Sequence, residues 1–437
     1  MTLAAAALLT PALVAAPAAA ADETCDGRAA TIVVPSYGHL RTAPFTGTPG
    51  DDVIVGTPRN DMIDGAGGND VICGLEGADV LAGGAGDDRL FGGLDGAYFP
   101  DDDYYADVVA PGPGDDHVDL GADPDAQDIY FADFGHLDRV SYEGATGPVL
   151  VDLNAGTATG EGSDTIVVGG PAGVVGSAFD DRITGSAYDD LVQSGAGDDV
   201  VDGLGGRDVI AVDTTSADER GLGIVGPEGD DVANGGSGRD TLVSHGGTDV
   251  LAGGADNDFL HASVASDGLL RGGTGDDRLE ARAAPVVVSA GAGDDEIGYV
   301  VRPGVRNEID GDGGRDSLSL HLAADFAKGT RVRVDRPRDR IRLTGSRTRI
   351  RYHQVEEFFG KGRRARWTFV GTRADERFAT KQARWVRAFG RGGDDDLLGT
   401  TGRDLLDGGP GRDRAYGDKG RDTCVSIERA ADCEVRR

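Results

Sequence analysis

Aromatic residues are scarce in this chain, and their scarcity excludes an ordinary deep globular core. Only 6% of the 437 residues are Phe, Trp or Tyr, whereas 72 are glycine. Large apolar side chains supply much of the buried area in a conventional domain. We therefore expect a thin core that runs along the chain and depends on contacts between neighbouring segments.

The sequence also lacks the short motifs of the common hydrolases. It contains no H-E-x-x-H zinc motif and no G-x-S-x-G nucleophile elbow, and its seven histidines have no metal-ligand spacing. Adjacent aspartates are abundant, but they recur with one fixed period and do not mark a catalytic pair. We predict that the protein is not an enzyme. The alternative is a carbohydrate-acting enzyme of lyase or epimerase type built on the same scaffold.

Long apolar runs are absent after residue 21. Residues 3–21 form one apolar run, and its last three alanines suit a signal-peptidase site. We predict a signal peptide over residues 1–21 and a secreted or cell-surface protein, with a membrane anchor as the alternative. No membrane span is expected after cleavage, because no other run is long and apolar enough.

Cysteine is rare, and the four cysteines indicate disulfides in an exported protein. Three pairings are possible. Proximity favours Cys424 with Cys433 and Cys25 with Cys73, which would tie down both ends of the fold. A zinc site is disfavoured, because the two pairs lie at opposite ends of the chain and no histidine accompanies them.

The chain is rich in a nine-residue unit, G-x-x-G-x-D-x-U-x, where U is aliphatic. Residues 65–91 hold three copies in succession. Glycine permits the positive φ angles of a tight turn, and x-U-x then forms a short strand with one inward side chain. Two units make a coil of eighteen residues, so stacking places the aspartate of one coil about 4.8 Å from that of the next. We expect two columns of aspartates, with Asp52 beside Asp70 and Asp181 beside Asp199.

Such columns require cations. Two carboxylates at this spacing repel by roughly 1 kcal/mol in water and by about 3.5 kcal/mol at an effective dielectric of 20. Carboxylate and carbonyl oxygens suit Ca²⁺ better than Mg²⁺, which demands stricter geometry. We predict multiple Ca²⁺ ions, held by the aspartates of the consecutive units: Asp52, Asp61, Asp70, Asp79, Asp88, Asp181, Asp190, Asp199, Asp208, Asp231, Asp240, Asp249, Asp258, Asp395, Asp404, Asp413 and Asp422. For the isolated units, binding and absence of binding are equally expected, because these units lack a partner two units away. The isolated units hold Asp116, Asp277, Asp295 and Asp316.

The units resemble the RTX, or hemolysin-type, calcium-binding nonapeptide G-G-x-G-x-D-x-U-x. The resemblance implies an all-β fold, a right-handed parallel β-roll or β-solenoid with Ca²⁺ between successive turns on both edges. It is closest over residues 65–91, 194–211, 235–261 and 399–425. Three stretches lack the second glycine, which predicts weak or absent binding: residues 56–64 with Arg59, residues 176–193 with Phe179 and Tyr188, and residues 253–261 with Asp256.

The repeats divide the chain into segments. After the signal peptide we predict a leading segment over 22–46, a first roll over 47–127 with an acidic surface excursion at 93–111, and metal-poor spacer coils over 128–175. These coils are followed by a second roll over 176–319, basic metal-poor coils over 320–389, a C-terminal roll over 390–425 and a cap over 426–437. We interpret the metal-poor stretches as wider, calcium-free coils of the same solenoid; an independent β-domain is the alternative for 128–175.

Positive charge is concentrated in one segment. The formal net charge is −33, yet residues 328–391 hold 20 Lys and Arg against 6 acids. Apolar and basic residues alternate there, so the apolar set should face inward and the arginines should face water: Val332, Val334, Ile341, Leu343, Ile350 and Tyr352. The segment is either an ordinary solvated strand face or a patch for an acidic cell-wall or extracellular polysaccharide; nucleic acid is not expected for an exported protein.

These features predict a secreted, calcium-binding β-roll with a structural, adhesive or surface-binding role. Calcium is scarce in the cytosol and millimolar outside, where weak extracellular modules bind it. Because binding free energy becomes folding free energy in such a chain, we expect it to fold outside the cell.

Overall fold

The computed structural model describes residues 23–35, 44–94, 106–121, 137–215, 224–225, 229–263, 267–282, 286–326, 329–344, 346–362 and 365–436. The predicted signal peptide and the centre of the predicted acidic excursion lie outside these residues. The end of that excursion does not leave the roll, because Val108–Ala110 is a strand of the fold. Within the described residues no helix has the length and apolar character needed to cross a membrane.

The described chain is all-β, as predicted, and its strands alternate between two long sheets. Sheet 1 contains Ile32–Val33, Val53–Val55, Val71–Glu76, Arg89–Leu94, His117–Asp119, Leu150–Asp152, Thr157–Thr159, Ser163–Val167, Arg182–Thr184, Val200–Asp202, Val232–Ser237, Thr248–Ala255, Asp267–Thr274, Val286–Ala292, Arg306–Gly313, Arg331–Asp335, Arg340–Leu343, Arg349–His353, Arg366–Val370, Trp385–Phe389, Leu405–Asp407, Thr423–Val425 and Val435–Arg436. Sheet 2 contains Phe45–Thr46, Met62–Asp64, Val80–Ala82, Val108–Ala110, Arg139–Ser141, Gly173–Val175, Leu191–Gln193, Val209–Ala211, Thr241–Ser244, Phe259–Ala262, Arg278–Ala281, Glu296–Val301, Ser317–Leu322, Glu357–Lys361, Arg377–Lys381, Asp396–Leu398, Arg414–Tyr416 and Arg429–Ala431.

Two short antiparallel pairs lie outside these sheets, Thr24–Cys25 with Arg28–Ala29 and Thr214–Thr215 with Ile224–Val225. The single helical element of the described residues is a 3-10 turn, Arg336–Arg338.

Strands stack in parallel one full coil apart. Ile54 lies opposite Ile72, and Ile72 lies opposite Leu90. Each of these side chains is fully buried between the two sheets. The repeat therefore produces the thin continuous core expected from its composition, with one inward aliphatic residue per strand in the repeat blocks.

The core widens where the repeat is weakest. Between residues 286 and 389 most strands have five to eight residues and bury two or three side chains each. Aromatic rings fill the extra width, and Trp367, Phe358, Phe369 and Phe378 are all buried. The inward positions of the alternating basic segment are buried too, which confirms the predicted facing of its apolar residues.

Two antiparallel meanders interrupt sheet 1 within the two metal-poor stretches. The first comprises Leu150–Asp152, Thr157–Thr159 and Ser163–Val167, and the second comprises Arg331–Asp335, Arg340–Leu343 and Arg349–His353. In each meander the third strand pairs in parallel with the preceding coil and the first strand pairs in parallel with the following coil. In each meander the chain first forms the strand beside the following coil, then reverses direction twice before the next coil begins. The predicted wider coils would not contain these reversals.

Both disulfides have the favoured pairing. Cys25 bonds to Cys73 with Cα atoms 5.8 Å apart, and Cys424 bonds to Cys433 with Cα atoms 5.9 Å apart. The first joins the leading segment to sheet 1, and the second joins the last complete coil to the chain that follows it.

Candidate metal centre

The sixth-place aspartates lie at the two edges of the roll, immediately before the strands, and are buried. Asp70 and Asp208 are 1% and 0% exposed. The first glycine of the unit makes room for the carboxylate. A Cβ atom built on Gly65 would collide with Oδ2 of Asp70 and would lie 2.5 Å from the carbonyl oxygen of Gly83 in the next coil. The unit therefore needs glycine here because carboxylate and carbonyl oxygens converge on that space.

Hydrogen bonds join the aspartates into ladders. The backbone amide of Asp52 donates to Oδ1 of Asp70 at 2.8 Å, the amide of Asp70 donates to Asp88 at 2.7 Å, and that of Asp88 donates to Asp116 at 2.7 Å. We call each carboxylate a rung and each such series a ladder. Every rung after the first thus uses one oxygen to hold the coil that precedes it.

The described residues form six ladders. Beside sheet 1 these are Asp52–Asp70–Asp88–Asp116–Asp164, Asp181–Asp199–Asp231–Asp249 and Asp404–Asp422–Glu434. Beside sheet 2 these are Asp61–Asp79–Asp107–Asp138, Asp190–Asp208–Asp240–Asp258–Asp277–Asp295–Asp316–Glu356 and Glu376–Asp395–Asp413–Glu428.

All the aspartates predicted to bind calcium are rungs of these ladders, and so are the four from isolated units. The latter have stacking partners after all, because the chain between coils can lengthen without breaking the stack: Asp88 and Asp116 are 28 residues apart. The sequence reasoning missed further rungs whose spacing is irregular: Asp107, Asp138, Asp164, Glu356, Glu376, Glu428 and Glu434. Several of these lie in the stretches predicted to be metal-poor. The available signal was an acidic residue placed directly before a short strand.

Many rungs have a second oxygen that accepts no hydrogen bond from the described residues. We call a rung open when Oδ1 holds the preceding coil and the buried Oδ2 has no donor among the described residues. The open rungs include Asp70, Asp88, Asp107, Asp116, Asp208, Asp231, Asp240, Asp258, Asp277, Asp295, Asp316, Asp395, Asp413 and Asp422. Buried polar atoms without partners are rare and costly in folded proteins, so a row of such carboxylate oxygens indicates that they bind cations.

Burial makes these carboxylates reluctant to ionise without a cation. Burial, together with the neighbouring charges of Asp88 and Asp52, raises the pKa of Asp70 to about 7. Burial likewise raises the pKa of Asp107 to about 8 and that of Asp208 to about 9. A cation beside Oδ2 would reverse the effect by favouring the charged form.

Other rungs are closed by a hydroxyl residue of their own turn. Thr48 donates its amide and its hydroxyl to Oδ2 of Asp52 at 2.7 and 2.8 Å. Thr400 donates both groups to Oδ2 of Asp404 at 2.5 and 3.1 Å. The predicted weak turns that hold Arg59, Phe179 and Tyr188 are of this kind, because Thr57, Ser177 and Ser186 bind their rungs in the same way. We call these rungs closed.

One ladder has an additional carboxylate that belongs to no repeat unit. Asp213 accepts the amide of Gly229 at 2.8 Å and the amide of Gly246 at 3.0 Å, and so joins two successive turns. One oxygen from each of Asp213, Asp231 and Asp249 lies within 4.8 Å of the others, and all three residues are buried. The sequence analysis missed this cluster, since Asp213 lies outside the repeat frame.

The donor set fits a hard divalent cation. The open rungs offer buried carboxylate oxygens, the first-place carbonyl of the next coil lies beside them, and no thiol or imidazole is part of the ladders. Oxygen ligands with adaptable geometry are those that Ca²⁺ prefers. Asp70, Asp88 and Asp116 on one edge and Asp240, Asp258 and Asp277 on the other would hold such ions.

Comparison with known proteins agrees with this chemistry. The family model of the RTX calcium-binding nonapeptide repeat matches residues 46–81, 74–96, 175–210, 226–260, 271–298 and 389–424. A search of curated proteins found no match. The matched residues contain every closed rung except Glu376, and most of the open ones. The chain therefore contains RTX calcium-binding nonapeptide repeats over these residues, and it is a calcium-binding β-roll.

Proposed function

We propose that the protein is secreted, folds when it binds several Ca²⁺ ions outside the cell, and serves a structural, adhesive or surface-binding role. The observation that supports this best is the set of open rungs, in which buried carboxylate oxygens accept no hydrogen bond. Without a cation these groups must be protonated or expelled to water, and either change weakens the stack.

The residues of the chain have separate tasks in this folding. Bound Ca²⁺ supplies the positive charge that lets adjacent carboxylates ionise side by side. One carboxylate oxygen of each later rung accepts the amide of the preceding rung, which sets the register between coils. The inward aliphatic residues, such as Ile72 and Leu81, then pack between the sheets. Register and core therefore form together as the ladders are neutralised.

Limited proteolysis tests calcium-dependent folding. We expect the mature chain to resist a nonspecific protease in 5 mM Ca²⁺, to be degraded in chelator, and to remain sensitive when Mg²⁺ replaces Ca²⁺. This Ca²⁺ concentration is above the dissociation constants of about 0.1–1 mM that are typical of extracellular calcium-binding modules. Equal resistance in Ca²⁺ and chelator would remove the basis of the proposal. Detection of the mature chain in the medium, without residues 1–21, would test secretion separately.

A second candidate function, binding of an acidic polysaccharide, is favoured by a row of arginines. Strand register places Arg306 opposite Arg349, Arg349 opposite Arg342, and Arg342 opposite Arg333. Thr368 follows on the next strand, and Arg387 lies opposite it. All five arginines are exposed, and we call them the arginine row. Most of the row lies on the second meander, so the fold reversal brings its members together.

The charges of the arginine row are only partly compensated within the protein. Arg333 contacts Asp335 at 3.4 Å, whereas Arg306, Arg342 and Arg349 form no ion pair with an acid among the described residues. Like charges directly opposite on adjacent strands are destabilising. Cationic groups about every 4.8 Å along the roll match an extended polyanion better than a small anion.

Retention on an immobilised acidic polysaccharide tests this role. We expect the triple variant Arg333→Gln, Arg342→Gln and Arg349→Gln to lose retention at physiological salt. The matched control, Arg403→Gln, Arg414→Gln and Arg421→Gln, removes the same charge from exposed positions elsewhere in the roll and should be retained. Equal loss in both variants would show that overall charge, and not the row, is responsible.

We propose no catalytic role for the chain. The rival hypothesis, a lyase or epimerase on the same scaffold, predicts turnover of acidic polysaccharides when Ca²⁺ is present. We expect no release of unsaturated products or new reducing ends from such polymers. Release that is lost with the triple arginine variant would establish the rival.

A further inference from the structure

Each of the six ladders begins with a closed rung. The first rungs are Asp52, Asp61, Asp181, Asp190, Glu376 and Asp404. Each accepts the amide and the hydroxyl of the Thr or Ser four residues earlier: Thr48, Thr57, Ser177, Ser186, Thr372 and Thr400. None of the open rungs has such a closure. Glu376 differs in one respect, since its Oε2 has no donor while Oε1 is closed.

The closed turns also differ from the open ones in backbone conformation. The hydroxyl residue occupies the second place of the unit. In the open turns whose second place the structure describes, that residue has positive φ, as in Ala66 at 76° and Leu204 at 71°. None of the six Thr or Ser residues has positive φ, a conformation that is costly for Thr because it is β-branched.

The conformation decides where the second-place amide points. In the open turn of Asp70, the amide of Ala66 donates away from the rung, to Oδ1 of Asp64 at 2.9 Å. In the closed turn of Asp52, the amide of Thr48 donates into the rung at 2.7 Å. A second-place Thr or Ser therefore turns a donor towards the carboxylate oxygen that would otherwise face a cation.

The position of the closed rungs explains their use. Glu376 follows the coil of Glu356, because Glu357 lies opposite Arg377. Asp181 and Asp404, in contrast, follow coils that offer no carboxylate at that place: Asp181 accepts the amide of Val149 at 2.8 Å, and Asp404 accepts that of Val386 at 2.6 Å. A first rung of this kind has a carboxylate neighbour on one side only. Two neutral donors from its own turn satisfy such a rung without a second charge.

We propose that these six turns are metal-free caps: a second-place Thr or Ser excludes Ca²⁺ from the first rung of each ladder, so that the ions bind only at the rungs that follow. This inference rests on the proposed calcium-dependent fold. The caps would let the first turn of every ladder form before any ion binds, which gives each ladder a starting point after the leading segment or a meander.

Native mass spectrometry of calcium-loaded protein tests the caps by counting ions in matched variants. Asp190→Asn and Asp208→Asn alter a closed and an open rung of one ladder, and Asp404→Asn and Asp422→Asn do the same in another. We expect the closed-rung variants to keep the wild-type number of ions and the open-rung variants to lose at least one. Loss of an ion from both closed-rung variants would overturn the proposal.

A hydroxyl variant separates a cap from a calcium ligand. Thr400→Val keeps the β-branch and the second-place amide but removes the hydroxyl. If the turn is a cap, the ion count stays unchanged while the denaturation midpoint in Ca²⁺ falls. If the hydroxyl is a ligand, one ion is lost. The control Thr400→Ser should match the wild type in both measurements.

Failure of the two proposals looks different. If wild-type protein binds no Ca²⁺ and folds equally well in chelator, calcium-dependent folding is wrong. If the wild type binds several ions, and closed-rung and open-rung variants lose them equally, only the cap proposal is wrong. Circular dichroism of each variant in Ca²⁺ confirms that the counts refer to folded protein.

Discussion

At the scale of single residues, the first glycine of the unit and the aspartate five places later depend on each other, because the glycine leaves the space that the carboxylate fills. The Asp70 carboxylate occupies the space where a side chain of Gly65 would lie. The unit therefore exchanges apolar packing at the turn for a buried oxygen that needs a cation. We therefore expect the fold to depend on a cation at the open rungs.

Replacing that glycine tests whether the carboxylate needs this space. Gly65→Ala places a Cβ atom against Oδ2 of Asp70 and the carbonyl of Gly83, so we expect a loss of about 1–3 kcal/mol in Ca²⁺-loaded stability, as for other overpacked sites. Gly50→Ala is the control, because a Cβ atom there meets nothing within 4 Å. Urea denaturation in excess Ca²⁺ measures both, and equal midpoints would contradict the steric account.

The Asp213 cluster leads to a prediction about affinity. Three buried carboxylates concentrate more negative charge than an ordinary pair of rungs. We expect Asp213→Asn to weaken the tightest class of Ca²⁺ sites by about tenfold, which corresponds to roughly 1.4 kcal/mol. Isothermal titration with Ca²⁺ measures this, and Asp230→Asn, an exposed neighbour, is the control. An unchanged tightest class would show that Asp213 serves only its two backbone hydrogen bonds.

The sequence predicts the regular rungs but not the irregular ones. The spacing of eighteen residues identifies Asp52 with Asp70 as neighbours because each coil there has the same length. Asp107 and Asp164 escape the pattern, since they follow their ladder neighbours Asp79 and Asp116 by 28 and 48 residues instead of eighteen. Hydrogen bonding to the preceding coil, which restores the stack after such a longer interval, has no signature at a fixed spacing.

At the scale of elements, the two meanders are the largest departure from the repeat. Their alternating strands resemble ordinary coils in sequence, because apolar residues alternate equally in parallel and antiparallel strands. The direction of each strand depends on which neighbour it pairs with, and that is decided by tertiary contacts. The sequence therefore predicted the inward residues of the basic segment correctly and missed its reversal.

The two disulfides are expected to contribute unequally to the free energy of unfolding. Cys25 and Cys73 are 48 residues apart, and Cys424 and Cys433 are 9 apart. Loop-closure entropy gives about 4 kcal/mol for the longer loop and about 2.6 kcal/mol for the shorter. We expect Cys25→Ser with Cys73→Ser to lower the denaturation midpoint in Ca²⁺ more than Cys424→Ser with Cys433→Ser. The reverse order would contradict the entropic account.

At the scale of the whole molecule, the roll is a stack of charged edges around a narrow apolar core. Outside residues 328–391 the chain holds 23 Lys and Arg against 70 acidic residues, a formal charge of −47, and the buried rungs account for much of this excess. In the proposed calcium-bound state, cations at the edges would neutralise the ladders while the basic coils stay positive. One molecule would then present calcium-bound acidic edges and a separate basic face.

Protons should partly replace calcium. In the folded chain burial raises the pKa of Asp70 to about 7 and that of Asp107 to about 8, well above the usual carboxyl value of 3.8. Because the folded state then binds more protons than the unfolded state, metal-free stability is greatest below about pH 4 and is lost as the pH rises through 6 to 8. Circular dichroism in chelator should show more β-structure at pH 4.5 than at pH 8. More structure at pH 8 would contradict the burial of the rungs.

The central claim is that divalent ions complete buried ladders and so hold the coils together. Far-UV circular dichroism of the mature chain at pH 7.5, titrated with Ca²⁺ from excess chelator, tests it most directly. The account predicts a cooperative rise from a largely unfolded spectrum to a β spectrum as Ca²⁺ reaches the millimolar range. A full β spectrum in chelator, unchanged when Ca²⁺ is added, would contradict it.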